Sequence, residues 1–412
     1  TTDGRNIEKG ISWLFPFVKD KGSWQRQPDI MFWEEWPVAH PFLLFGSLHH
    51  YRKEYFQTWK QLEHFPTNEE VIRNLPIRHP LLWLNRIIMR NLLLSAFALV
   101  CLLPMNAQTV NTRIYPAEKL AKVKAKADTP TYAPAIKTLM KEADKAMNLT
   151  PPSVMDKSMT ASSGDKHDYM SMGPYWWPDP SKPDGLPYIR KDGLRNPELS
   201  KLDRDRLGNM AKAVTTLGIA YYFSGNEQYA KKATDFLKVW FLDAKTKMNP
   251  NLNYGQTIPG RRDGLGRGTG MIDTYCFVEM LDALTLLDSS KAMTPAIKKG
   301  MKEWFTQFVE WIQTSPVAAE ENAAKNNHGL AYDVQLTAYA LYIGNKELAI
   351  QILKEFPAKR LFSQIEPDGK QPLELERTTA FGYTLFNLTH MLDMSFIGAT
   401  EGIDIYNAAS ED

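Results

Sequence analysis

Two cysteines in 412 residues, Cys101 and Cys276, are too few for a disulfide framework. There is no His-Glu-x-x-His run and no Cys/His spacing of the zinc type, so no metal or other cofactor is expected. A charge excess is missing too. Lys and Arg total 49 against 47 Asp plus Glu, a net +2, which gives no broad basic surface of the kind a nucleic-acid partner needs. Any attraction for an acidic ligand therefore has to be local. The apolar run Leu92–Leu103 falls short of the roughly 20 residues that cross a bilayer. No long β-rich block interrupts the chain.

What the chain does have is apolar content of 43%, enough for a sizeable core, with 11 Trp and 17 Tyr. Such rings suit core packing and stacking on sugar faces alike. From residue 115 onward apolar positions recur every three or four residues. The stretch 211–243 reads as two helices joined by a Gly-Asn turn, 268–315 as a second pair, and 327–356 as a third with the same turn. Repeated hairpins predict an all-α stack, either a solenoid or a closed toroid.

The segment 86–108, RIIMRNLLLSAFALVCLLPMNAQ, has the grammar of a signal peptide: Arg86 and Arg90, a short apolar middle, then small residues around Ala107. Its internal position admits two explanations, a buried core helix or a numbering that begins partway round the natural order. The second divides the chain into 1–84 as a natural C-terminal part completing the same domain, 85–107 as the signal-like segment, and 108–412 as the main domain. It predicts that Asp412 and Thr1 lie within bonding distance, and that the protein is exported and free of the membrane after signal removal.

Two long irregular stretches separate the hairpins. The first, 167–198, carries His167, Tyr169, Tyr175, Trp176, Trp177 and Tyr188, too aromatic for a disordered linker. The second, 249–270, sets Arg261, Arg262 and Arg267 among glycines, either for close backbone approach to a ligand or as a solvated loop. Asn326, Asn327 and His328 stand at the start of a helix, where free N–H groups favour anions and Asn also caps. Tyr332, Gln335 and Tyr339 either extend that wall or pack. A last helix is expected from near Arg377 through Met394, with Tyr383, Asn387 and His390 forming a polar stripe that would line a cleft floor.

Taken together, YWWPDP, KNNHGLAYD and ELERTTAFGYTLFNL resemble the alginate lyase superfamily, nearest to polysaccharide lyase family thirty-eight and more distantly family five. The six-residue spacing from Arg377 to Tyr383 is the feature closer to family thirty-eight. The resemblance implies an incomplete (α/α) toroid whose long loops line a cleft, with material like residues 1–84 coming last. It implies an active centre at Asn327, His328, Arg377 and Tyr383, and an acidic polyuronate such as alginate as substrate, in a secreted or periplasmic bacterial protein.

In that chemistry the C5 proton beside the uronate carboxylate is removed and the O4 oxygen leaves. Asn327 with His328 or Arg377 would neutralise the carboxylate, and Tyr383 would transfer protons. Ionising a Tyr at pH 7 costs about 4 kcal/mol, and a nearby Arg377 would lower this. His328 is the alternative base. His167, Tyr175, Trp176, Gln256 and Arg261 are the candidates for binding neighbouring sugars. Three readings compete with alginate cleavage: a glucuronan lyase of the same mechanism, a glycoside hydrolase using Glu34 or Glu35, and a sugar-binding protein.

Overall fold

The computed structural model describes residues 110–410. The expectations for residues 1–84 and 85–107, for Glu34 and Glu35, and for the distance between Asp412 and Thr1 lie outside the described residues. Among the described residues, ten α-helices of seven residues or more carry the architecture: α1 Ala117–Ala125, α2 Ala133–Met147, α3 Arg204–Ser224, α4 Glu227–Leu237, α5 Cys276–Leu286, α6 Pro295–Thr314, α7 Pro316–Asn322, α8 Asn327–Ile343, α9 Lys346–Phe356 and α10 Ala380–Thr400. Short strands β1 Met170–Met172 and β4 Tyr254–Thr257 pair in parallel, and β2 Trp176–Trp177 pairs antiparallel with β3 Ile189–Arg190.

Both Gly-Asn turns work as read. Helix α3 ends on Gly225 in the left-handed region at φ 68°, and Asn226 then caps α4 by accepting from the Gln228 N–H. Gly344, at φ 89°, and Asn345 repeat the device between α8 and α9. Thr294 and Ser315 cap α6 and α7, each followed by a proline at the first helical position.

Helices α3, α5, α8 and α10 pack in sequence as an inner row. Helices α2 and α4 cover α3, while α6 and α9 cover α8, which makes the incomplete α/α toroid. The rows differ in how they meet water. Outer helices α4 and α9 bury one stripe, whereas α8 is buried without a break from Gly329 to Leu341. Between the rows sits an aromatic core of Phe241, Phe277, Trp304, Phe305, Phe308 and Tyr339, with neighbouring ring centroids 4.8–6.1 Å apart. Each such ring, fully buried, contributes on the order of 1.5–3 kcal/mol. Tyr339 and Gln335 belong to this interior, since Tyr339 donates to the Thr274 carbonyl and Thr274 to Gln335 Oε1. They therefore pack rather than extend a ligand wall, as does Tyr332, which is 5% exposed.

The inner row also encloses carboxylates. Burial, together with the charges of Asp393 and Asp282, pushes Glu279 up to about 8, and burial pushes Asp393 up to about 7. Folded-state values above the unfolded ones mean that the folded protein holds more protons than the unfolded chain. The associated stability is therefore complete below about pH 4 and falls as pH rises toward about 8. Melting temperature is expected to drop between about pH 5 and about pH 8, and the Glu279→Gln variant to drop less; identical profiles by calorimetry would refute this.

Candidate active site

A cavity of about 240 Å³ opens where the N-terminus of α8, the approach to α10 and the two long loops converge. Its lining includes Tyr175, Trp176, Gln256, Asn327, His328, Arg377 and Tyr383, seven of the nine residues singled out from the sequence. Arg261 stands beside it, its guanidinium 5.2 Å from the Trp176 ring centre. His167 stands apart from the lining, with Nδ1 2.6 Å from the Lys247 carbonyl oxygen, where it ties two loops together.

Asn327 is the first residue of α8, buried rather than capping. Its backbone N–H and its Nδ2 each donate to the Glu374 carboxylate at 2.7 Å, and a second Nδ2 hydrogen remains for a ligand. Glu374 sits on a one-turn helix, Pro372–Leu375, with Arg377 just beyond it. Helix α10 starts at Ala380, three residues later than its apolar pattern implied, so Arg377 is on a turn and is aimed from outside the helix.

Arg377 reaches Tyr383 twice. Its Nη2 donates to the Tyr383 hydroxyl at 2.8 Å, and its guanidinium lies 3.8 Å from the ring centre. Asp192 holds the arginine from the opposite side at 3.2 Å and accepts from the Thr378 hydroxyl. Burial acts to raise the Asp192 carboxyl, but Thr378, Arg190 and Arg377 outweigh it and hold the group at about 2. It is charged under any working condition.

The expectation that Arg377 brings Tyr383 closer to ionisation is corrected. Burial raises the phenol, Tyr175 raises it further through a 3.0 Å contact between the two hydroxyls, and Arg377 only partly opposes them. Tyr383 is thus held as the neutral phenol, above its ordinary value of about 10. The stripe below it is corrected as well. Asn387 and His390 are fully buried; Asn387 donates to Gln371 and His390 packs between Tyr275 and Phe386, each centroid 4.2 Å away. Only Tyr383 of that stripe reaches the cavity, with Phe386 beside it.

His328 follows Asn327, and its Nδ1 is 2.6 Å from Glu321 Oε1 on α7. The wall facing it comes from the loops. Gln256, at the backbone-strained φ of 48°, donates Nε2 to Asp273, while Arg267 donates to both its carbonyl and its Oε1. The glycines of this loop serve the protein itself. A Cβ on Gly266 or Gly270 would meet the Gly255 backbone at 2.5 Å, so they permit backbone to lie on backbone rather than on a ligand. Arg262 pairs with Glu320 at the surface, away from the cavity.

Four arginines line the cavity, Arg190, Arg204, Arg267 and Arg377, with His328, and no Asp or Glu appears among the lining residues. Two of them, Arg190 and Arg204, carry no motif in the sequence, and Arg267 was marked there only as part of the glycine-rich loop. Arg204 begins α3 inside the run KLDRDR, which reads as a solvated helix start, and is held instead by the buried Asp273 at 3.3 Å. The nearby carboxylates stand behind the lining as supports: Asp192 and Asp273 hold arginines, Glu321 holds His328 and Glu374 holds Asn327.

The alginate lyase family model matches residues 153–412. Among solved structures, an alginate lyase from Bacteroides ovatus is 77% identical, with a TM-score of 0.73 over 73% of this chain and 80% of that one. Alginate lyase A1-III from Sphingomonas species A1 is 15% identical, with a TM-score of 0.40 over 66% of this chain and 72% of that one. No curated protein matches the chain.

Proposed function

The chain belongs to the alginate lyase family, and from this premise we propose that it cleaves 1,4-linked polyuronate, mannuronate-rich alginate first, by β-elimination. The observation that carries the reading is the cavity lining of four arginines and a histidine without a carboxylate. A uronate chain presents one negative charge per sugar, and a wall that concentrates cations, three of the four arginines partly or largely buried, answers that pattern. Trp176, flanked by Arg261 and Arg267, supplies a flat face for a neighbouring ring.

Elimination needs a neutralised carboxylate, a base and an acid. Asn327 and Arg377 hydrogen-bond the carboxylate, so that negative charge developing at C5 delocalises onto oxygens already paired with donors. His328 takes the C5 proton as the bond breaks. The electron pair forms the C4–C5 double bond, the C4–O4 bond breaks, and Tyr383 gives its proton to the departing O4. The raised phenol of Tyr383 favours the acid role, because ionising it beforehand would cost more than the about 4 kcal/mol of a free Tyr at pH 7. The reading that Tyr383 serves as both base and acid differs in one result: His328→Ala would keep most of its activity.

Each elimination leaves a conjugated double bond that absorbs in the ultraviolet. Incubation with polymannuronate is expected to raise absorbance faster than polyguluronate or glucuronan. New reducing ends without absorbance would mark a hydrolase, oligosaccharide binding without product a binding protein, and fastest conversion of glucuronan a different uronate.

A further inference from the structure

Glu321 is 1% exposed, and among the described residues the only hydrogen-bond partner of its side chain is His328 Nδ1 at 2.6 Å. A buried carboxylate with a single hydrogen-bond partner is a poor device for stability, because desolvation outweighs one hydrogen bond. Its setting is nonetheless rigid. Helix α7 is capped by Ser315 and packs against α6, α8 and the segment Gly268–Thr274. Gly268 permits that approach, since a Cβ there would meet the Glu321 backbone nitrogen at 2.6 Å. The adjacent Glu320 grips the opposite side, accepting from Arg262 at 2.6 Å and from the Gly268 N–H at 2.9 Å.

We propose that Glu321 is a positioning residue, accepting the Nδ1 proton of neutral His328 and so fixing the tautomer whose bare Nε2 is the nitrogen available to the cleft. The inference rests on the reading of His328 as the base. An imidazole has one proton and two nitrogens, and the hydrogen bond made at one of them decides which of the two is left basic. Other titratable groups face this pair from each packed element: Glu374 before α10, Arg267 from the loop, and His390 on α10, which burial holds neutral. Arg377 lines the same cavity. Among the described residues the hydrogen-bond partner of the imidazole is the carboxylate of Glu321, not one of these groups.

The test is the Glu321→Gln variant, which keeps shape but lets the amide donate to Nδ1 and so admits the wrong tautomer. On polymannuronate, kcat is expected to fall about 10- to 100-fold, the range found when the partner of a metal-bound imidazole is removed. KM is expected to stay within a few-fold and melting temperature to hold or rise. Glu321→Asp restores part of kcat. Nitrogen NMR of the resting enzyme, with His328 assigned from its loss in His328→Gln, is expected to show the Nδ1–H tautomer in the parent and a mixture in Glu321→Gln. Parental kcat in Glu321→Gln, or an Nε2–H tautomer in the parent, would overturn the proposal. So would a fall in melting temperature accompanied by loss in KM rather than kcat. A parent that makes no unsaturated product fails the lyase reading instead.

Discussion

Tyr383→Phe is expected to slow turnover of polyuronate by about 10²–10⁴-fold while leaving binding nearly intact, the span typical of losing a positioned general acid. The hydroxyl is the only atom removed. The ring stays, and with it the 3.8 Å stacking of the Arg377 guanidinium, so the groups that hold the substrate carboxylate keep their places. What goes is the proton that the leaving O4 requires, at the point where Tyr175 and Arg377 converge at 3.0 and 2.8 Å. Initial rates of ultraviolet absorbance give kcat, and calorimetric titration with a short oligouronate gives affinity. Activity within a few-fold of the parent would remove Tyr383 from the mechanism, and loss of binding alone would recast it as a sugar contact.

The second large effect concerns stability. Arg360, on the turn after α9, is 2% exposed and donates to the Asp333 carboxylate at 2.7 and 3.3 Å. It also donates to the carbonyls of Ala324 and Asn322, both at 2.8 Å. One guanidinium thus ties the middle of α8 to the loop that leads into Asn327 and His328. Gly329 is required beside it, because a Cβ there would strike the Ala324 carbonyl and the Arg360 guanidinium. Without Arg360 the buried Asp333 keeps only Lys359, at 3.0 Å, and two carbonyls lose their donor, so Arg360→Ala is expected to destabilise by about 3 kcal/mol, the low end for breaking a buried pair. That corresponds to a melting temperature lower by on the order of 10 °C. Activity below the melting temperature falls as well, since the loop loses two carbonyl anchors. Arg360→Lys keeps the charge but not the fork and is expected to fall between. An unchanged melting temperature in Arg360→Ala would refute the assignment.

Much of the site was visible in the sequence because its parts are local. Asn327 and His328 adjoin at a helix start, Arg377 and Tyr383 are six residues apart, and Tyr175 and Trp176 fall in an aromatic loop, so short motifs carried them. The supporting carboxylates were not visible. Glu321 and His328 belong to different helices, and Asp192 meets Arg377 across 185 residues of chain. A lone Glu or Asp in a charged stretch looks the same whether it faces water or an arginine. The stripe of Asn387 and His390 was misread for a related reason: on an inner helix every face meets protein, so a polar face does not reveal which side opens to a cavity.

By itself the sequence determined the hairpins, since helical period and Gly-Asn turns act between near neighbours and need no distant contact. It also determined which residue types were on hand for elimination. The tertiary structure decided where charge is concentrated. A chain of net charge +2 acquires a cationic cavity only when Arg190, Arg204, Arg267 and Arg377 are brought to one wall and their carboxylate partners are turned behind it. It also decided the protonation of Tyr383, because burial and the neighbouring Tyr175 outweigh Arg377, and that balance exists only once 208 residues of intervening chain have folded.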